Sequence, residues 1–402
     1  MRQSGHPHLF LAGLLAFVVA LSVLAPSAAA LTVESLRLGL NGTTTRVVID
    51  VDQAVQAEAF ALAKPYRLVV DLPEAQWQVP AAQGGQSKGL VERYRFGQFK
   101  PGTSRLVLDM AGPFKLVRFF PLPPQGTYGH RLVFDLAPVD RATFRAELQK
   151  RRRHARAPTL SVPTSNPAPR GDRRRVIVID PGHGGVDPGT LSSTGVPEKQ
   201  VVLDIAKTIK ARLEQEGAYQ VVLTRDSDIF LPLRERIAVA RAAGADLFLS
   251  VHADALDNGR VRGATVYTLS ESASDAEAAA LARKENKSDL IAGIDLGNEA
   301  PEVTNILIDL AQRETMNFSA RFAGFLIPEL KRRHVVRTNS HRFAGFVVLK
   351  APDVPSILLE TGYLSNVQDA RLLTSAKGRD ALAESVTQAI NRYFQTVAAA
   401  DF

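Results

Sequence analysis

No cysteine occurs in the 402 residues. Disulfide frameworks, cysteine nucleophiles, thiolate metal sites and iron–sulfur clusters are thereby excluded, and any metal must be held by His, Asp or Glu. Most of the chain also lacks a charge surplus. The formal net charge is +8, yet the stretch 141–175 alone holds eleven Lys/Arg against Glu147 and Asp172, a surplus larger than that of the whole. The remainder is close to neutral, so a basic segment joins two near-neutral regions, and a broad cationic face for nucleic acid is not expected. The rest of the composition, 45% hydrophobic and 22% charged with 28 Gly and 23 Pro, excludes disordered and collagen-like chains and suffices for two domains with cores.

An apolar run, Leu9–Leu24, follows a short polar start and precedes the small residues Ala25–Ala30. This is the order of a secretory signal peptide cleaved after Ala30. A retained anchor is the alternative, but the run is near the short end for a span and the small-residue site follows at once. No twin-arginine pair precedes the run, which favours general secretion. Residues 1–30 are therefore set apart from the fold, and the mature chain is expected outside the cytoplasm without a permanent membrane anchor.

Between residues 31 and 140 one pattern recurs four times: Arg46-Val-Val-Ile-Asp50, Arg67-Leu-Val-Val-Asp71, Arg105-Leu-Val-Leu-Asp109 and Arg131-Leu-Val-Phe-Asp135. Each is a strand signal, an apolar triplet between Arg and Asp, and the spacing suggests two related halves. Asn41-Gly42, Pro101-Gly102 and Pro123-Pro124 punctuate the intervals, which favours an all-β sandwich. With no concentration of His or paired carboxylates, it reads as a binding module. The pattern resembles the AMIN domain, a sandwich that directs cell-envelope proteins to peptidoglycan; a β-sandwich with another ligand is the alternative. Residues 141–174 form the linker, a short basic helix (Ala142–Arg156) followed by a Pro/Ser/Thr-rich stretch that cannot bury a core. It is either a solvated spacer or an attractor of anionic envelope polymers.

Over 175–402 strands alternate with helices. Strands are expected at Val176–Asp180, Tyr219–Thr224, Asp246–Val251, Gly263–Leu269, Gly345–Leu349 and Ser356–Leu359, and helices at Glu198–Gly217, Leu233–Ala243, Ile306–Glu329 and Arg379–Phe394. The expected architecture is an N-terminal all-β sandwich plus a C-terminal α/β domain, a mixed sheet with helices on both faces.

His183 follows the first of these strands in Asp180-Pro-Gly-His-Gly-Gly185, while His252 and Glu360 terminate two others. Ligands gather at the carboxyl ends of strands in open α/β sheets, so these groups can converge, and Glu198 opens the next helix close enough to join them. Two His and one carboxylate are a catalytic zinc set with a fourth position for water, and a further carboxylate can take the proton of that water. Singly, each is more often structural: a hydrogen-bonded His, a Glu at a helix dipole. Of the other six His, His6 and His8 fall in the signal segment, His130 in the β module and His154 in the linker; His334 and His341 lie in a basic, turn-like stretch.

The motifs Val178–Gly185, Glu198, Leu223-Thr-Arg-Asp226 with Leu233 and Arg236, Ala245–Asp254 and Pro355–Asn366 resemble the zinc-dependent N-acetylmuramoyl-L-alanine amidases called amidase 3. The resemblance implies one Zn2+ per catalytic domain, held by His183, Glu198 and His252, with Glu360 as the catalytic carboxylate. It implies hydrolysis of the amide between the lactyl group of N-acetylmuramic acid and L-alanine, in a periplasmic enzyme recruited to the division septum. An extra segment, 276–304, is comparable with an insertion that plugs the active site of septal members until a LytM-type, endopeptidase-like activator withdraws it. By that analogy Glu285 reaches the zinc; otherwise it is an exposed Glu on a charged helix. Leu290, Ile291 and Ile294 either dock the activator or pack on the core. A zinc peptidase acting on wall peptides and a non-catalytic wall-binding protein are the competing readings.

Overall fold

The computed structural model describes residues 30–79, 87–154, 174–294 and 306–400. The signal segment, most of the Pro/Ser/Thr-rich linker and the end of the 276–304 insertion lie outside the described residues. Among the described residues, no helix is long and apolar enough to cross a membrane.

The N-terminal strands are β1 (Leu31–Asn41), β2 (Thr44–Val51), β3 (Glu58–Leu62), β4 (Arg67–Pro73), β5 (Ala75–Trp77), β6 (Val91–Lys100), β7 (Thr103–Met110), β8 (Phe114–Leu122) and β9 (His130–Pro138). They form two sheets, β5-β1-β2-β9-β8 and β3-β4-β7-β6. The four Arg…Asp segments are β2, β4, β7 and β9, and they pair antiparallel so that each Arg faces an Asp: Arg46 opposite Asp135, Asp50 opposite Arg131, Arg67 opposite Asp109, Asp71 opposite Arg105. The apolar triplets between them supply Val47, Ile49, Leu68, Val70, Leu106, Leu108, Leu132 and Phe134 to one core shared by both sheets. The repeat thus encodes register as well as strand identity, because a one-residue slip would separate every charge pair and expose the core face.

After the basic helix α1 (Arg141–His154), the second region runs β10 (Arg175–Pro181), α2 (Glu198–Gln215), β11 (Tyr219–Leu223), α3 (Leu233–Ala242), β12 (Leu247–His252), β13 (Ala264–Leu269), α4 (Ala276–Glu285), α5 (Ser288–Ile291), α6 (Ile306–Arg333), β14 (Val336–Ala344), β15 (Ser356–Glu360), α7 (Val367–Thr374) and α8 (Ala376–Ala400). The sheet order is β11-β10-β12-β15-β13-β14. Its first four strands are parallel, and β13 runs against β15. Alternate residues of β10 enter opposite cores: Ile177 and Ile179 meet α2, α6 and α8, whereas Val176 and Val178 meet α3 and α4.

One expected strand is absent. Gly345–Leu349 ends in a 3-10 turn at Val347–Leu349, and β14 lies instead in the stretch read as turn-like. The inward residues of β14 are Ser340, Arg342 and Ala344, so this edge strand shows no apolar alternation. The apolar run beside it is fixed as a turn by Asn286, whose side chain accepts from Val347 N at 2.8 Å and donates to Gly345 O at 2.8 Å.

Candidate active site

Three parallel neighbours, β10, β12 and β15, bring their carboxyl ends to one edge, and His252 lies directly opposite Glu360 in register. The loop after β10 turns sharply: His183 itself has φ 59°, a conformation costly for a residue with a Cβ. Two buried arginines hold it there. Arg236 donates to Asp180 Oδ1 (2.9 Å), Pro181 O (2.8 Å) and His183 O (2.7 Å), and Arg225 donates to Pro181 O (3.0 Å) and Gly182 O (2.8 Å). Gly182 lies so close to the His252 ring that a Cβ would stand 2.3 Å from it, which requires glycine.

The sequence-derived set converges. His183 and His252 lie with ring centres 5.0 Å apart. Glu198 Oε1 is 3.2 Å from His183 Nε2 and 3.4 Å from His252 Nδ1. Glu285, from the end of α4, places Oε2 3.5 Å and 3.3 Å from the same two nitrogens. The donor atoms of His183, His252 and Glu285 lie within 4.8 Å of one another. Although these carboxylate oxygens face them, His183 Nε2 and His252 Nδ1 are buried and make no hydrogen bond of good geometry. His130, His334 and His341 lie elsewhere: His130 begins β9, His334 follows α6, and His341 Nε2 meets Thr268 Oγ1 at 3.1 Å within the edge strands.

Glu360 is fully buried, with Oε2 accepting from Asp254 N at 2.9 Å and Oε1 unpartnered. Burial, reinforced by the nearby carboxylates of Asp254, Glu198 and Glu285, pushes its carboxyl well above the usual range. Asp187 was not singled out from the sequence. Its Oδ2 lies 3.0 Å from His183 Nδ1, and although burial opposes ionisation, the His183 ring and the Ser288 hydroxyl hold its carboxyl down at about 2. A carboxylate behind a histidine fixes the ring's tautomer and orientation. Four residues beyond the histidine inside an irregular loop, it gave no periodic signal.

The insertion covers this site through four residues between 284 and 289. Lys284 pairs with Asp254 and donates to Thr190 Oγ1 at 2.9 Å; Glu285 faces the two histidines; Ser288 donates to Asp187; and Asp289 Oδ1 accepts from Leu233 N at 3.0 Å, capping α3. Its far side meets the four-stranded sheet. Arg67 donates to Leu290 O, Arg95 to Ile291 O, and Arg105 to Ala292 O (3.1 Å) and Gly293 O (3.3 Å). Leu290 and Ile291 are half-buried, and Ile294 packs with Phe99, Val186, Phe230 and Ala292. Of these three residues, Ile294 packs on the core, whereas Leu290 and Ile291 join no core cluster and are held through their carbonyls.

The model for the family described as "N-acetylmuramoyl-L-alanine amidase" matches residues 177–392, and the AMIN domain model matches 35–138. The chain is 35% identical over 392 residues to N-acetylmuramoyl-L-alanine amidase AmiC of Escherichia coli O6:H1, covering 93% of this chain and 92% of the relative. It is 36% identical over 404 residues to AmiC of Neisseria meningitidis serogroup B, with 96% and 95% covered. To AmiA of Escherichia coli K12 it is 39% identical over 222 residues, with 55% and 76% covered. With both family models matched in order and relatives similar from end to end, this chain belongs to the N-acetylmuramoyl-L-alanine amidases that carry an AMIN domain.

Proposed function

We propose that this chain is an exported zinc amidase that cuts the amide between the lactyl group of N-acetylmuramic acid and L-alanine during septal wall splitting. The observation that carries the metal reading is the pair of buried, unpartnered ring nitrogens of His183 and His252, which face carboxylate oxygens at 3.2–3.5 Å. Imidazole nitrogens and carboxylates form a donor set that suits zinc, and His183, Glu198 and His252 would hold it. Zinc bound there supplies a Lewis acid that brings the pKa of bound water toward ~7. Glu360 then takes a proton from the attacking water and returns it to the amine of L-alanine, a role that suits a buried carboxylate with one free oxygen. Asp187 keeps the His183 ring oriented.

In this reading Glu285 occupies the position that water needs, so the enzyme rests closed. The closed state is supported by the ion pair of Lys284 with Asp254, the hydrogen bond from Ser288 to Asp187, the cap from Asp289, and the three arginines of the β sandwich. Opening falls to a LytM-type activator that withdraws the insertion. The leader before residue 31 carries the chain to the periplasm, and the AMIN module brings it to septal peptidoglycan.

The test is incubation of the purified mature chain, loaded with zinc, on isolated sacculi with and without residues 283–300. Intact stem peptides with a free L-alanine amine, released faster by the deletion, support the amidase and its closed state. Cleavage inside the stem instead would identify a peptidase, and a folded chain binding no zinc would overturn the metal assignment.

A further inference from the structure

The edge of the sheet that holds Glu360 also holds an arginine cradle that the mechanism above does not use. Because β13 runs against β15, it is the start of β13 that reaches the catalytic edge: Thr265 lies opposite Glu360, and Val336, at the start of β14, lies opposite Ala264. Arg337 therefore stands two strands from Glu360, about 10 Å across the sheet. With Arg260, Arg262, Val336, Asn339 and Arg342 it lines a cleft of about 440 Å³.

Two of its guanidinium groups are paired by the insertion. Glu277, in the first turn of α4, forms ion pairs with Arg337 and, at 2.6 Å, with Arg342; Asp275, the cap of α4, lies 3.6 Å from Arg342. Among the described residues these are the only carboxylates within ion-pair distance of the two arginines. Tyr363, in the loop after Glu360, completes the cradle, receiving a hydrogen bond from Arg337 at 3.1 Å. One helix thus carries a carboxylate at each end, Glu285 facing the metal donors and Glu277 in the arginines. Toward the core α4 presents chiefly Ala278, Leu281 and Ala282, so ion pairs at its first turn supplement a small apolar face.

We propose that Arg337 and Arg342 form a substrate subsite that receives a carboxylate of the peptide stem, and that Glu277 occupies it in the closed state as a substrate mimic. This rests on the amidase reading and extends it to the leaving side of the scissile bond. Glu277 precedes Glu285 by eight residues, which spans about 12 Å of helix. An extended peptide covers that length in roughly three residues at about 3.4 Å each, so the bound carboxylate belongs to the third stem residue. Where the stem continues past that position, a diamino dicarboxylic acid keeps a free side-chain carboxylate; lysine does not. Paired guanidinium groups suit a carboxylate because they supply several donors in a planar array.

The test is calorimetric binding of two tripeptides, L-Ala-γ-D-Glu-meso-diaminopimelate and its L-lysine counterpart, each amidated at the third residue's carboxyl that continues the stem so that only the side-chain carboxylate distinguishes them, to the full zinc-loaded chain. Glu277→Ala empties the cradle and is expected to bind the acidic tripeptide at least about tenfold tighter than the wild type does, and tighter than the lysine peptide. Adding Arg337→Gln should abolish that gain, and Arg337→Lys should restore part of it. Glu277→Gln serves where Glu277→Ala melts early. Equal affinity for the two peptides in the emptied cradle, or a gain that survives Arg337→Gln, overturns the proposal. Binding is read without hydrolysis, so a chain that discriminates the peptides yet fails to cut sacculi even with residues 283–300 removed sinks the amidase reading and leaves the arginine subsite standing; a chain that cuts sacculi but does not discriminate the peptides does the reverse.

Discussion

Glu285 Oε2 lies 3.3 Å from His252 Nδ1, so the last residue of an inserted helix faces the group at the end of a core strand across the space a metal and its water need. Removing the Glu285 side chain clears that space, and a tenfold shift in a closed–open equilibrium corresponds to about 1.4 kcal/mol. Glu285→Ala is therefore expected to raise hydrolysis of sacculi at least about tenfold in the absence of any partner, with zinc still bound. Dye-labelled sacculi measured alongside metal analysis check this; unchanged hydrolysis by a folded variant would remove Glu285 from the closed state.

Glu360 and His252 face each other in register yet should fail differently when replaced. Glu360→Gln keeps size and burial but loses the proton acceptor, and turnover should fall by about 10²–10⁴-fold with zinc stoichiometry retained. His252→Ala removes a ligand and should lose zinc along with activity. Equal metal loss in both variants would contradict the division of roles.

The β sandwich supplies a pH prediction. Burial would raise the Asp109 carboxyl, but Arg95 (2.7 and 3.1 Å) and Arg93 (2.5 Å) outweigh it and hold it below the usual range; Arg46 does the same for Asp135. The folded state then binds fewer protons than the unfolded one, so these groups stabilise the fold above the ordinary carboxylate pKa. That contribution is lost as pH falls through their lower folded values. Thermal melts between pH 7 and pH 2 should show stability dropping below pH ~4. Asp109→Asn should melt lower at pH 7, on the order of 5 °C, and show a shallower acid slope. A slope identical to the wild type would refute the assignment.

The four groups around the centre were legible because each stands at the end of a strand or the start of a helix, where apolar patterning marks the element and the polar residue interrupts it. Glu285 was legible only by analogy, since nothing in Arg283-Lys284-Glu285-Asn286 distinguishes a buried carboxylate from a solvated one. Asp187 and the contacts of Arg67, Arg95 and Arg105 with Leu290–Gly293 were hidden for another reason. They depend on groups brought together by the fold, and an Arg that brackets a strand triplet, as Arg105 does, looks the same whether its second partner is water or a carbonyl nearly two hundred residues away. The misplaced strand near residue 345 shows the limit of periodicity: an edge strand with arginine and serine facing inward carries no apolar rhythm.

Those arginine contacts lead to the last prediction. Arg105 is stacked 3.5 Å over the Phe99 ring and is held by Asp71 at 2.6 and 2.7 Å, so its guanidinium reaches the carbonyls of Ala292 and Gly293 already ordered. Gly293, at φ 73°, lies flat on Val69 and Val107 of the same sheet. The insertion is thus latched from the β sandwich as well as from the catalytic edge, and Arg105→Ala should raise basal hydrolysis severalfold by favouring the open state. Arg93 is the control: it bonds Asp109 and is largely exposed, and Arg93→Ala should leave basal hydrolysis unchanged. In a Glu285→Ala background the latch has little left to restrain, so Arg105→Ala should add much less there than alone. Equal gains from Arg105→Ala in both backgrounds, or an equal effect of Arg93→Ala, would show that the sandwich perturbs the enzyme by some route other than this latch.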